Sequence, residues 1–256
     1  MHSIYRNLLL TSILVLTGCM NQTKPMTEET DSSVVESPTV QSTERVTEST
    51  TEIEKRSVEM YQAGSLLTAV EANDSEKVKT ILASADYPIN EQNDRGESPL
   101  LIATHNNQVE IAKALIKAGA DVNLQDHIQD SAYLYAGAQG KTEILTFMLE
   151  NSQPNQQIYN RFGGNALIPA AEKGHLDNVK LLLEDGAVNI DHQNNYGYTA
   201  LIEAVALRDG SKIYQDIVKE LLVYGADKTL RDNYGKTAED YAKELGYQAM
   251  LVELQK

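Results

Sequence analysis

A segment of about 33 residues recurs along most of this chain and restricts its fold more than any other feature of the sequence. The clearest copy opens at Gly96 and closes at Gly119, and further copies run through Asn165 and Gly197. Within a copy, a short apolar helix follows a residue suited to helix capping, and a second apolar stripe precedes the closing glycine. A unit of this length cannot bury its apolar face alone, so successive units must stack into a solenoid.

The residues that punctuate each copy have physical roles at helix ends and crossings. Ser98 and Thr199 occupy N-cap positions, where the hydroxyl accepts a bond from an unpaired backbone N–H. Pro99 follows at the first helical position, which needs no N–H donor. Closing glycines fall where the second helix must end in a left-handed residue, and small residues fall where the two helices of a unit cross closely. The glycines are Gly119, Gly186 and Gly225, and the small residues are Ala103, Ala170, Ala171 and Ala204.

The order of these residues resembles the ankyrin repeat, whose pattern is G-x-T-P-L-x-x-A-A-x-x-G-H-x-x-V-x-x-L-L-x-x-G-A-D-x-N. The copy from Gly96 follows this pattern closely, with Ser98 in the threonine position. The resemblance implies an all-α ankyrin-repeat solenoid of helix–turn–helix units with β-turn tips, and the glycine and T-P-L spacings favour it over a generic solenoid of helical hairpins. We expect about six units, including a cap at each end, within residues 61–256. Their expected bounds are 61–94, 95–127, 128–161, 162–195, 196–233 and 234–256.

Two copies depart from the pattern. The third lacks the proline and the closing Gly-Ala-Asp, and residues 151–154 stand in place of that ending. We therefore expect a turn of different geometry there. In the fifth copy, residues 208–216 are expected to lengthen the loop between the two helices by about five residues.

The N-terminal segment has the composition of a secretory signal. Arg6 supplies a positive charge, and residues 8–16 form an apolar run that is too short to span a bilayer as a helix. The run ends in Leu-Thr-Gly before Cys19, which resembles the lipobox of bacterial lipoproteins. The resemblance implies that residues 1–18 are removed as a signal peptide and that Cys19 is acylated, for instance by palmitate, which would anchor the chain in a membrane. An ordinary cleaved signal beside a coincidental cysteine is the alternative.

Residues 19–60, which begin with this cysteine, are predicted to form a disordered tether. Residues 20–60 are rich in Ser, Thr and Glu, contain no aromatic residue, and carry four basic against nine acidic side chains. Such a composition cannot bury enough apolar surface to offset chain entropy. A tail that folds on a partner is the alternative, although the segment lacks apolar anchors for such folding.

Charge and residue content argue against several functions. A net charge of −15 disfavours nucleic acid as a partner, because an acidic protein repels the phosphate backbone. The sequence offers no nucleophile with an adjacent base and no glycine-rich phosphate loop, so we predict neither an enzyme nor a cofactor. His127 and His192 stand beside aspartates, but no second His or Cys lies at ligand spacing. We therefore assign both histidines to solvated loops and predict no metal site.

The ankyrin resemblance points to protein binding, because members of this family dock partners on a concave face made of the turn tips and the first helix of each unit. Ile128, Phe162, Tyr196 and Tyr234 occupy one position of successive tips and would form an apolar row. Packing of each of these residues on its neighbour is the alternative interpretation. The candidate partner-binding residues at the tips are Arg95, Glu97, His127, Ile128, Arg161, Phe162, Tyr196, Tyr198 and Tyr234, and the first helices are expected to add His105, Asn106, Glu172 and Lys173.

Together these features predict a monomeric bacterial lipoprotein, anchored on the extracytoplasmic side of the cell membrane, whose ankyrin array binds another protein. One alternative is an immunity-type inhibitor that covers a secreted toxin or hydrolase with an acidic concave face. An enzyme is the third interpretation, and it would require a polar pocket, which the sequence does not indicate.

Overall fold

A computed structural model of the protein describes residues 61–84 and 86–256. The predicted signal peptide, Cys19 and the predicted tether lie outside the described residues. Within them the chain forms twelve α-helices and no β-strand. The helices are α1 (Ser65–Glu71), α2 (Ser75–Leu82), α3 (Pro99–His105), α4 (Val109–Lys117), α5 (Ala132–Ala138), α6 (Thr142–Asn151), α7 (Leu167–Glu172), α8 (Leu176–Asp185), α9 (Ala200–Ala206), α10 (Lys212–Val223), α11 (Ala238–Leu245) and α12 (Gln248–Leu254).

The helices pack as six consecutive pairs in two layers. Each odd-numbered helix contacts the even-numbered helix that follows it and the odd-numbered helices of the neighbouring pairs. We call the odd-numbered set the first-helix layer and the even-numbered set, whose members also contact one another in sequence, the second-helix layer. Contacts therefore run between neighbours along the chain, as expected of a solenoid. The predicted all-helical repeat array is confirmed.

Side-chain caps begin most of the first helices. The hydroxyl of Ser98 accepts the N–H of Leu101 at 3.1 Å, and that of Thr199 accepts the N–H of Ile202 at 3.2 Å, as predicted. Thr237 forms a reciprocal capping box with Asp240 at the start of α11. At the other end of the units, the three closing glycines have left-handed φ angles, which confirms the predicted helix ends. These angles are 91° at Gly119, 73° at Gly186 and 87° at Gly225.

Small residues allow the first helices to approach closely. Ala103, Ala170 and Ala204 are completely buried between elements, as the sequence predicted. Gly137 in α5 permits a close approach of the next unit, because a Cβ atom added there would lie 2.9 Å from the Cβ of Ala166. Leucine and isoleucine side chains of the second helices fill the remaining core, and each buried one stabilises the fold by about 1.5–3 kcal/mol.

The third unit ends differently from the others, as expected. Helix α6 stops at Asn151, and Ser152 adopts an extended conformation instead of a left-handed one. The loop that follows is held by the preceding unit, since Asn123 accepts the N–H of Asn155 at 2.7 Å and donates to the carbonyl of Gln153 at 3.3 Å. The N–H groups of Asp121 and Asp227 make the equivalent bond to Asn90 and Asp191, so this contact is kept here although the glycine turn is lost.

The insertion in the fifth unit is divided between a loop and a helix. Only residues 207–211 separate α9 from α10, and residues 212–216 form the start of α10, which is twelve residues long. The expected loop was therefore too long, because residues 212–216 continue the apolar stripe of the second helix. The Tyr247 hydroxyl donates to the carbonyl of Arg208 and ties the loop to the last unit.

Candidate functional site

Five loops between units end in the same turn, in which an Asn or Asp side chain organises the backbone. In the first, Asn93 Oδ1 accepts the N–H groups of Arg95 (2.9 Å) and Glu97 (3.0 Å), and the N–H of Gly96 donates to the Asn93 carbonyl at 2.8 Å. Asp126, Asn160, Asn194 and Asp232 make the equivalent bonds. We number these turns tips 1 to 5, which span residues 93–97, 126–130, 160–164, 194–198 and 232–236.

Successive tips are joined by backbone hydrogen bonds at three of the four junctions. In each, the second residue of a tip donates its N–H to the carbonyl of the third residue of the preceding tip. The bonds run from His127 to Arg95 (3.0 Å), from Asn195 to Phe162 (2.9 Å) and from Asn233 to Tyr196 (3.1 Å). The tips consequently form a continuous rim within tips 1–2 and again within tips 3–5.

The rim is interrupted between tips 2 and 3, where the described residues contain no bond from Arg161 N–H to the Ile128 carbonyl. The fourth residue of tip 2 is Gln129, with φ 64°, whereas the other tips have glycine there. A Cβ atom added at Gly96 would lie 2.8 Å from the His127 ring, and one at Gly197 would lie 2.8 Å from the Asn233 nitrogen. A side chain at this position would meet the next tip, and we infer that Gln129 causes the interruption.

The third residues of tips 2 to 5 expose apolar side chains in one register. Ile128 is 53% exposed, Phe162 45%, Tyr196 49% and Tyr234 64%. The guanidinium of Arg161 lies 5.0 Å from the Phe162 ring centroid, and the Tyr196 and Tyr198 rings are 6.3 Å apart. We call Ile128, Phe162, Tyr196 and Tyr234 the apolar strip.

At tip 1 the corresponding position is Arg95, which pairs with a carboxylate instead. Arg95 Nη2 lies 2.5 Å from Glu97 Oε2, and His105 Nδ1 lies 3.5 Å from Oε1 of the same carboxylate. Burial alone would raise the pKa of Glu97, but hydrogen bonds from Asn93 and Arg95 outweigh it and hold that pKa below its usual value. Burial lowers the pKa of His105, whose ring packs 4.1 Å from that of Tyr135.

A second group of charges lies further along the same face, between the tips and the ends of the first helices. Arg161 pairs with Asp130 at 3.4 Å, and Arg208 pairs with Glu172 at 2.5 Å. Lys173, beside Glu172 at the end of α7, has a pKa lowered by burial and interacts electrostatically with all four of these residues. We call Asp130, Arg161, Glu172, Lys173, Glu203 and Arg208 the central cluster.

Glu203 is the buried member of the central cluster. It is 5% exposed, its Oε1 accepts from Asn194 Nδ2 at 3.1 Å, and its Oε2 has no partner. Burial, aided by the nearby carboxylate of Glu172, raises the pKa of Glu203 to about 8, although Arg208 lowers it in part. The Glu203 carboxyl group is consequently protonated at neutral pH.

The candidate residues differ in accessibility. Arg95, His127 and Arg161 are exposed, as is the whole apolar strip. Glu97 is buried, and Tyr198 is half-buried with its hydroxyl 3.5 Å from that of Tyr241. The carboxylate of Glu97 and the hydroxyl of Tyr198 are therefore hydrogen-bonded to other residues of the array.

Three residues of this face were not identified from the sequence. Tyr135 and Glu203 occupy the same position of their first helices as Ile102, and a carboxylate at an otherwise apolar position was the available signal for Glu203. Arg208 lies in the loop between the two helices of the fifth unit, which has five residues where the first four units have three. The repeat pattern therefore contains no position that corresponds to it. Its contact with Glu172 depends on how that loop folds.

The two histidines that stand beside aspartates have different surroundings. His127 is exposed at tip 2, as predicted. His192 is not a solvated loop residue, because its ring stacks on Tyr159 at 4.2 Å and its Nε2 bonds to the carbonyl of Gly163 at 2.6 Å. Among residues 61–84 and 86–256, no group of three His, Cys, Asp or Glu residues could hold a metal ion. Over the same residues, none of the helices has the length and apolar character needed to cross a bilayer.

Comparison with protein families identifies the class. The model of the family described as ankyrin repeats (3 copies) matches residues 66–158 and 134–232, which together make up more than half of the chain. The protein belongs to the ankyrin-repeat family. Ankyrin repeats generally mediate binding to other proteins, and their homologues are typically non-catalytic.

Individual relatives agree with this assignment. YahD of Escherichia coli K12, named as an ankyrin repeat protein, is 39% identical over 182 residues, which cover 71% of this chain and 90% of YahD. The crystal structure of the ankyrin repeat protein EF0377 is 58% identical with a TM-score of 0.76, covering 77% of this chain and 99% of that one. An ankyrin repeat domain from Acinetobacter baumannii AYE is 42% identical with a TM-score of 0.72, covering 76% and 97%.

Proposed function

We propose that this protein is a non-catalytic binding module whose docking surface for another protein is the apolar strip on tips 2 to 5. The observation that carries the proposal is the exposure of all four strip residues, each between 45% and 64%, in one register of consecutive tips. Exposed apolar side chains aligned in this way supply the anchors that protein interfaces use.

The rim supports the same proposal because it holds the strip in place. Backbone bonds join tips 3, 4 and 5, so Phe162, Tyr196 and Tyr234 are carried by one hydrogen-bonded framework. Anchors that are ordered before binding lose less conformational freedom when a partner docks. The strip therefore combines apolar area with preorganisation.

The test is capture of partners from envelope extracts of the source organism by the full chain and by a double variant, Phe162→Ser with Tyr196→Ser. We expect the specific partner to be lost or weakened at least about tenfold, since removing two anchors costs more than 1.4 kcal/mol. The matched control is Val223→Ser with Val252→Ser, which removes two exposed apolar side chains from the second-helix layer. Equal recovery by both double variants, with circular dichroism unchanged, would overturn the proposal.

We also propose that the module is held at the extracytoplasmic face of a bacterial cell membrane by lipid on Cys19. Support comes from the short apolar run and the Leu-Thr-Gly-Cys sequence at its end. More than one acyl chain on a cysteine gives stable membrane attachment. Replacing Cys19 with Ser should release the protein from the membrane fraction and abolish labelling by a palmitate analogue. Retention of both properties would refute lipid anchoring at this residue.

The inhibitor alternative is decided by the same capture experiment. A toxin or hydrolase recovered as a tight stoichiometric complex, and inactive within it, would favour inhibition. A partner without such activity would favour a scaffold.

A further inference from the structure

The acidic groups near the middle of the face formed by the tips and the first helices are engaged within the protein, although the chain carries a net charge of −15. Asp130 and Glu172 each lie in an ion pair with an arginine. The buried Asp126, beside Asp130, accepts two backbone N–H groups. Burial raises the pKa of Glu203 to about 8, so its carboxyl group retains its proton at neutral pH. The acidic groups of this region are therefore paired, hydrogen-bonded or protonated.

Lys173 is the cationic member of the central cluster that has no ion-pair contact. Its side chain is exposed and forms neither an ion pair nor a side-chain hydrogen bond with any residue of the described part of the chain. The two neighbouring carboxylates are already bound by Arg161 and Arg208 at 3.4 and 2.5 Å. Desolvation lowers the pKa of Lys173, and the charges of Glu172 and Asp130 oppose that shift from beyond ion-pair distance. A lysine without an ion-pair contact gains from an anion supplied by a partner.

The central cluster adjoins the apolar strip. Arg161 takes part in both, since its guanidinium pairs with Asp130 and also lies 5.0 Å from the Phe162 ring centroid. A partner segment whose apolar side chain covers Phe162 would also reach Arg161, whose charge interacts with that of Lys173. The strip and the cluster therefore form one docking surface with an apolar and a cationic part.

We propose that the central cluster receives a carboxylate of the docked partner, with the Lys173 ammonium as its principal ion-pair partner. This inference rests on the proposed function, because it assumes docking on the apolar strip. The occupant it specifies is an acidic peptide segment, with Asp or Glu beside an aromatic or aliphatic residue. A basic segment would place like charges against Arg161, Lys173 and Arg208, and such contacts disfavour a partner.

The test selects short random peptides displayed on phage against the full chain, and then against its Lys173→Gln variant. We expect acidic peptides with adjacent apolar residues on the wild type, and loss of the acidic preference on the variant. The best peptide and its carboxamide counterpart, with Asp replaced by Asn or Glu by Gln, are then titrated calorimetrically. The carboxylate peptide should bind Lys173→Gln about tenfold more weakly. The control Lys219→Gln, an exposed lysine of the second-helix layer, should bind as wild type does.

The two peptides give a double-mutant cycle that separates this contact from others. On Lys173→Gln, the carboxylate and carboxamide peptides should bind equally. Enrichment of basic peptides, or equal binding of the carboxylate peptide to wild type and Lys173→Gln, would overturn the inference. Failure of the proposed function has a different signature, in which selected peptides still bind the Phe162→Ser, Tyr196→Ser double variant with full affinity.

Discussion

The two ends of the rim are built from the same turn, but the pKa values of their buried carboxyl groups are shifted in opposite directions. At tip 1, Glu97 is held by Asn93, Arg95 and His105, and its pKa lies below the usual value. In the fifth unit, Glu203 has one hydrogen bond from Asn194 and a pKa raised to about 8. Desolvation and the nearby charge of Glu172 raise the pKa of Glu203, whereas hydrogen bonds from Asn93 and Arg95 outweigh desolvation at Glu97.

The two ends of the rim also differ in the backbone hydrogen bonds that join their tips. Tips 1 and 2 are joined by one backbone bond and tips 3 to 5 by two, while the junction at Gln129 has none among the described residues. The first part of the rim therefore contains Arg95 and Ile128, and the second contains the three aromatic members of the apolar strip. We infer that the Cβ atom of Gln129 causes this division.

The largest expected effect comes from Glu203→Gln. Because folded Glu203 retains a proton that the unfolded chain releases above pH 4.5, the stability contributed by Glu203 is complete below pH 4.5 and is lost as the pH rises to about 8. The loss approaches about 1.4 kcal/mol for each pH unit inside that window. The Gln variant should lack this loss and become more stable than wild type near pH 8, as urea unfolding at several pH values would show.

Glu97→Gln provides the opposite control for that measurement. The pKa of Glu97 is lowered, so its ionised form stabilises the fold above pH 4.5, and this stability is lost as pH falls through its folded pKa. The Glu97 variant should be destabilised at neutral pH. If the stability curves of wild type and Glu203→Gln run parallel from pH 5 to pH 8, the assignment of a protonated Glu203 is wrong.

The next effect tests the rim at Gly197. An alanine there would keep φ near 77° and place its Cβ 2.8 Å from the backbone nitrogen of Asn233, so we expect a loss of about 2–3 kcal/mol. Gly235→Ala has nearly the same φ, 78°, with no atom within 4 Å of the added Cβ, and should cost only about 1 kcal/mol. Thermal or urea unfolding compares the two variants. Equal losses would show that backbone conformation alone, and not contact between tips, requires the glycine.

The sequence was sufficient for features that depend on one residue at one position. Ser98, Thr199 and the closing glycines predicted helix ends, and the tip register predicted the apolar strip, because each follows from local geometry that repeats. Features that need contacts between units were harder to predict. The Arg208–Glu172 pair spans 36 positions and depends on the inserted loop, and the state of Glu203 depends on burial by three neighbouring elements.

The smallest expected effect is at the interrupted junction. Gln129→Gly removes a side chain from a left-handed position and the Cβ that separates tips 2 and 3, so we expect a gain of about 0.5–1 kcal/mol. It should also allow Arg161 N–H to reach the Ile128 carbonyl, which would slow hydrogen exchange of the Arg161 amide.

Asn107→Gly distinguishes the two causes of that gain. Asn107 also has a left-handed φ, 55°, but lies in the loop between α3 and α4, away from the tips. Relief of backbone strain should stabilise both variants, whereas protection of the Arg161 amide should follow only from Gln129→Gly. Unchanged exchange at Arg161 in the Gln129 variant would mean that the altered end of the third unit, where Ser152 is extended and no left-handed glycine stands, keeps the two parts of the rim apart.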